Sequence, residues 1–173
     1  MPRRISPLDF AWRGYVSAKD ALLVTQRAAD SRDHRLLLST TVFASGRRRA
    51  TIALGRQTLD DLAVVALWAE FERFLFEHLR RKARCSKIRP PEFSKRVQTK
   101  LTREVEYWRI DDVLDLYKGA VDPNLIGQAK QVKDFRDWIA HKNPRKPSPP
   151  NIVPTAAYAL LTEIVAQIKK PRP

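Results

Sequence analysis

Arg136 and His141 stand five positions apart in the stretch VKDFRDWIAHKNP, residues 132–144. Their side-chain types suit phosphodiester chemistry. A neutral imidazole takes up or gives back a proton near pH 7. A guanidinium grips a phosphate with two parallel N–H bonds and offsets the charge that builds on its oxygens. Base and cation together suffice to cut a ribose phosphodiester without a metal. The base removes the 2′-OH proton, the oxygen attacks the adjacent phosphate, and an acid protonates the departing 5′-oxygen. DNA lacks that nucleophile, so the chemistry selects RNA. One histidine does not easily stand on both sides of an in-line displacement. Two copies of the segment across a two-fold axis would supply two histidines and two arginines.

Spacing alone carries little weight in a chain this rich in arginine. Each of the three histidines follows an arginine at a comparable distance: His34 after Arg27, His78 after Arg73, His141 after Arg136. Arg136–His141 is set apart by Asp137 beside the arginine, by the small Ala140 beside the histidine, and by Pro144 just beyond. Arg73–His78 has Phe74 in the position of the acidic residue and lies in a strongly apolar segment, so it reads as structural. Upstream, WAEFERFLFEHL offers Glu70 and Glu72. Glu70 is the candidate to hold Arg136 or His141 in place, with an ion pair to Arg73 three residues on as its alternative.

Other chemistries find no support in the residues. No histidine or cysteine grouping has metal-ligand spacing, no glycine-rich phosphate loop occurs, and no Ser-His-Asp set can be assembled. No cofactor is expected. Cys85 is the only cysteine, which excludes an internal disulfide and suits a reducing, cytoplasmic setting. Asp111–Asp112 and Asp60–Asp61 read as the acidic first turns of helices.

The elements that would position the pair are helices. The strongest runs from Thr58, read as an N-cap, to about Arg84, with Leu62, Val65, Ala66, Trp68, Ala69, Phe71, Leu75, Phe76 and Leu79 giving it a broad apolar girth. It should be the central helix. Before it, residues 17–43 carry helical spacing and GRRRA (46–50) reads as a loop; residues 1–16 mix arginines with aromatics and read as an irregular arm. After it, Pro90 and Pro91 break the chain. A polar helix (92–108), a short one ending near Gly119 (110–120) and the helix carrying the motif (124–141) follow. A proline-rich loop (144–154) then leads into a last helix that starts at Pro154. No segment alternates as a strand does. The expectation is an all-α, up-down bundle of five to six helices, with one domain over 17–170.

The chain carries 33 Lys and Arg against 19 Asp and Glu, a net charge of +14. Such an excess favours a polyanionic partner, nucleic acid first. No apolar run approaches the ~18–20 residues that span a bilayer, so no membrane role is expected.

The string RDWIAH (136–141), on the penultimate helix of an all-α chain, resembles the Arg-x4-6-His motif of the HEPN superfamily. Phe135, Trp138, Ile139 and Ala140 agree with that form. The resemblance implies a helical homodimer that cuts RNA without a metal, acting as a toxin or phage-defence effector with an antitoxin or other neutralising protein as partner. It implies Arg136 and His141 as the catalytic pair and Asp137 as the polar residue that orients them. Some toxins of the superfamily carry a tyrosine two residues after the histidine, which an antitoxin adenylylates; Asn143 stands there, so neutralisation by that route is not implied. The alternative is a non-catalytic HEPN-like helical module that binds RNA or a protein.

Overall fold

A computed structural model describes residues 6–31, 35–44, 46–85, 91–141 and 147–170. His34, Asn143 and Pro144, each used above, lie outside them. The described chain is all-helical: α1 (Asp9–Asp30), α2 (Thr41–Ala44), α3 (Arg48–Cys85), α4 (Pro91–Glu104), α5 (Ile110–Asp115), α6 (Pro123–His141) and α7 (Pro154–Lys169), with single 3-10 turns at Arg35–Leu37 and Val105–Tyr107. Among the described residues the only β pairing is one isolated bridge, Lys118 to Val121. It closes the turn after α5, where Gly119 takes a φ of +84° that only glycine adopts without cost. No described helix is long and apolar enough to cross a membrane.

α3 is the axis. Its 38 residues span about 57 Å at 1.5 Å per residue, and α1, α4, α6 and α7 all pack against it. The face it buries is narrower than the girth read from composition. Val64, Leu67, Trp68, Phe71, Phe74, Leu75 and His78 are buried, a run of steps of three and four that keeps one stripe inward. Leu62, Ala66 and Ala69 point outward, and Leu62 is 56% exposed. They too follow steps of three and four, so apolar spacing offers two stripes of which packing uses one.

Three boundaries differ from expectation. Residues 9–16, read as part of an irregular arm, form the first two turns of α1. Leu8 is fully buried. Trp12 stacks on Tyr158 of α7, with ring centroids 4.5 Å apart. The Tyr15 hydroxyl donates to Asp60 of α3 at 2.7 Å. Leu8, Trp12 and Tyr15 follow an i, i+4, i+7 pattern that the neighbouring charges obscure, so the packed helix begins at Asp9 rather than at 17. α1 also stops at Asp30, where Ser31 turns extended (φ −75°, ψ 159°), instead of running to 43. Finally, α3 begins at Arg48, ten residues before Thr58. Arg, Ala and Leu in RRATIALGRQ are good helix formers, and the acidic pair Asp60–Asp61 serves inside the helix, not as its first turn.

The second arginine–histidine pair has a structural histidine. His78 is buried, its Nδ1 3.0 Å from the Tyr117 hydroxyl, which itself donates to the Leu75 carbonyl at 3.3 Å. Burial, then the charges of Arg81 and Lys82, push the imidazole pKa below its ordinary value, and burial pushes the Tyr117 hydroxyl up. A base whose folded pKa is depressed binds fewer protons folded than unfolded below about pH 6.5. Its stabilising share is therefore complete above that pH and is lost as pH falls.

Two outcomes test this packing. Leu67→Ala should cost about 2–5 kcal/mol in urea denaturation, whereas Leu62→Ala should stay within about 0.5 kcal/mol of the parent. Between pH 7.5 and 5.5, the melting temperature of the parent should fall more steeply than that of His78→Gln.

Candidate functional site

α6 carries RDWIAH on its last two turns. Asp122 opens the helix: its side chain accepts the Asn124 N–H at 2.8 Å, and Pro123 takes the first helical position, where no N–H is missed. Ile126, Ala129, Val132, Phe135 and Ile139 are buried against α3 and α7. That leaves the rest of the last turns to two separate environments.

On one side, Lys133, Asp137, Trp138 and His141 line an open cleft of about 550 Å³ whose far wall is Pro147 and Pro149. Counting about 100° per residue, Lys133, Asp137 and His141 fall within about 80° of one another. His141 is exposed at the last helical residue and makes no hydrogen bond to another described residue.

On the other side, Arg136 turns toward α3 and does not line the cleft. Its Nη2 donates to Glu72 Oε2 at 3.3 Å, and its Nη1 pairs with Asp137 Oδ1 at 3.0 Å. The guanidinium carbon sits 5.6 Å from the centre of the Trp68 ring. Trp68 Nε1 donates to the same Glu72 oxygen at 3.0 Å. Arg136 Nε is buried without a hydrogen-bond partner. Within one copy, then, Asp137 joins Arg136 and neighbours His141, while Arg136 and His141 themselves diverge.

Lys133 completes the network. It pairs with Asp111 of α5 at 3.1 Å, Asp134 at 3.3 Å and Asp137 at 3.7 Å. Burial alone would lower its pKa, but the hydrogen bonds and charges of Asp111 and Asp134 outweigh that and hold the ammonium above its ordinary value. Two cations, Lys133 and Arg136, thus face four carboxylates: Asp111, Asp134, Asp137 and Glu72. Among the described residues the site holds more carboxylates than cations, in a strongly basic chain.

Glu70 is not part of this assembly. It pairs with Arg73 at 3.1 Å on the solvent side of α3, and Glu72 is the carboxylate that meets Arg136. In the folded helix Glu72 is one turn beyond the buried Trp68, whereas Glu70 falls beside the outward stripe of Leu62, Ala66 and Ala69. Lys133 joins the site without a strong sequence signal, whereas Trp138 belongs to the motif string itself. The i, i+4 step from Lys133 to Asp137 is the available sign of the former. Among the described residues no three His, Cys, Asp or Glu side chains form a group able to hold a metal ion.

Glu72 and Glu70 differ in what their loss should do. Glu72→Ala removes the acceptor of both the Trp68 N–H and Arg136 and should cost about 1–3 kcal/mol. Glu70→Ala removes an exposed ion pair and should cost under about 1 kcal/mol. Equal losses in urea denaturation would show that Glu72 does not anchor the arginine. Compared with known proteins, the chain matches no family model, no curated protein and no solved structure.

Proposed function

We propose that this chain is a HEPN-type endoribonuclease that cuts RNA by metal-independent 2′-OH attack at a site shared by two copies. The observation that carries this reading is the division of labour at the end of α6. His141 is exposed in an open cleft beside Asp137, while Arg136 is fixed on the adjoining face between Glu72 and Asp137. Glu72 takes one N–H of Nη2, Asp137 pairs with Nη1 and Nε is buried, so of the five N–H groups those remaining on the two terminal nitrogens are left for a phosphate. Fixing the cation in advance lowers the reorganisation needed when charge develops on the phosphate. Because Arg136 and His141 lie about 140° apart around the helix, a second copy is the natural source of the missing partner. His141 of one copy takes the 2′-OH proton, and His141 of the other protonates the 5′-oxygen. The biological role that accompanies this chemistry is that of a toxin or phage-defence effector, restrained by a neutralising protein.

A second reading has its own support. An arginine paired with carboxylates on two sides and laid over an indole is also the setting of a structural cation. On that reading the chain is a non-catalytic HEPN-like module that binds RNA or a protein.

Total RNA incubated in EDTA with the parent, Arg136→Lys and His141→Ala separates the two. The lysine keeps a charge opposite Glu72 while losing the fork, and circular dichroism checks that each variant is folded. The expected result is cleavage by the parent that survives chelation and falls at least about 100-fold in both variants, with growth arrest on expression of the parent alone. Identical RNA patterns in all three samples would leave the binding module standing. Sedimentation at micromolar concentration should give a dimer.

A further inference from the structure

The acidic network around Arg136 raises the question of where a +14 chain would first hold a polyanion. α4 answers it. Lys95, Arg96, Thr99, Lys100 and Arg103 are exposed and line one shallow groove of about 420 Å³. By helical geometry they share a face about 140° wide, and successive turns set them about 5–6 Å apart. The two carboxylates of the groove, Glu92 and Glu104, stand at its ends. Glu104 reaches Lys100 only at 3.9 Å, and Lys95, Arg96 and Arg103 make no ion pair with another described residue.

A row of cations is by itself most often a solvated face. Here a second feature adjoins it. Immediately after α4, Tyr107 is 85% exposed, although an aromatic ring gains more than most side chains from burial. It lines a further groove of about 390 Å³ with Trp108 and Arg109. Cations spaced along a groove with an exposed aromatic ring nearby are a combination that holds single strands: the cations follow the phosphates and the ring stacks on an unpaired base. A duplex keeps its bases stacked and offers the rings nothing.

We infer that the outer face of α4, together with Tyr107, is a binding track for single-stranded RNA, separate from the cleft at the end of α6. It holds RNA whether or not Arg136 and His141 cut it, so its failure and theirs are distinguishable. Binding of a labelled oligouridine of about 15 nucleotides is measured by fluorescence anisotropy in the uncleaving His141→Ala background. One variant replaces Lys95, Arg96, Lys100 and Arg103 by alanine. A control removes as many charges elsewhere, at Arg13, Arg27, Arg49 and Lys170.

The α4 variant should bind at least about 10-fold more weakly. Its salt slope of log K should be lower by about 3, close to 0.7 for each single-strand phosphate that the four cations no longer neutralise. The control should weaken far less. Tyr107→Ala should weaken the oligouridine by about 5-fold or more and leave a duplex of equal length unchanged. Equal weakening in α4 variant and control would overturn the track in favour of a diffuse field. Unchanged RNA affinity in the α4 variant would overturn it and leave that face to an acidic protein.

Discussion

The fold depends on one stripe of α3 being dry. Val64, Leu67, Trp68, Phe71 and Leu75 are buried along it, and the helices that cover them take their positions from that need. α1 and α7 close one flank, where Trp12 lies flat on Tyr158 and the Tyr158 hydroxyl donates to Asp9 at 2.7 Å. α6 packs against both α3 and α7. Its arrival beside Trp68 brings Arg136 within reach of Glu72, which stands one turn on from the indole. The candidate site is a by-product of core packing: move α6 by a turn, and the guanidinium loses both the ring and the carboxylate.

Charge is distributed in the opposite sense to what the composition suggests. The chain is strongly basic as a whole, yet among the described residues Lys133 and Arg136 are met by four carboxylates, two of them from α3 and α5. Such an arrangement keeps two cations ordered and partly shielded from bulk water, at the cost of attraction for an incoming phosphate. The basic residues at liberty to attract one lie elsewhere, on α4 among other surfaces. On the proposed reading, attraction and chemistry are thereby separated in space, and a long flexible polyanion is the kind of ligand that would use both.

Much of the fold is legible in the sequence because it rests on local rules. Pro91, Pro123 and Pro154 each begin a helix, Gly119 turns the chain after α5, and the buried side of α6 follows its apolar spacing. What stays illegible needs three-dimensional information. Leu62, Ala66 and Ala69 look as apolar as the residues that are buried, and only the arrival of the other helices decides between the two stripes. The start of α1 is hidden because Asp9, Arg13 and Gly14 interrupt Leu8, Trp12 and Tyr15, and the partners of the two rings lie on α7 and α3. At the site, the motif points to Arg136, Asp137 and His141 on one helix end. The choice of Glu72 over Glu70 turns on helical phase, about 100° of rotation for each residue, which spacing without a partner helix does not fix.

The far wall of the α6 cleft has a consequence of its own. It is built from Pro147 and Pro149, with the intervening Ser148 hydroxyl donating to the Pro149 carbonyl at 3.1 Å. Proline has no N–H to give, so that wall meets a guest with carbonyl oxygens and ring carbons. Among the described lining residues the side-chain donors come from the α6 side, from Lys133, Trp138 and His141. A guest would therefore meet donors and carboxylates along α6 and only carbonyl oxygens and ring carbons along the prolines, so its polar edge would face the helix.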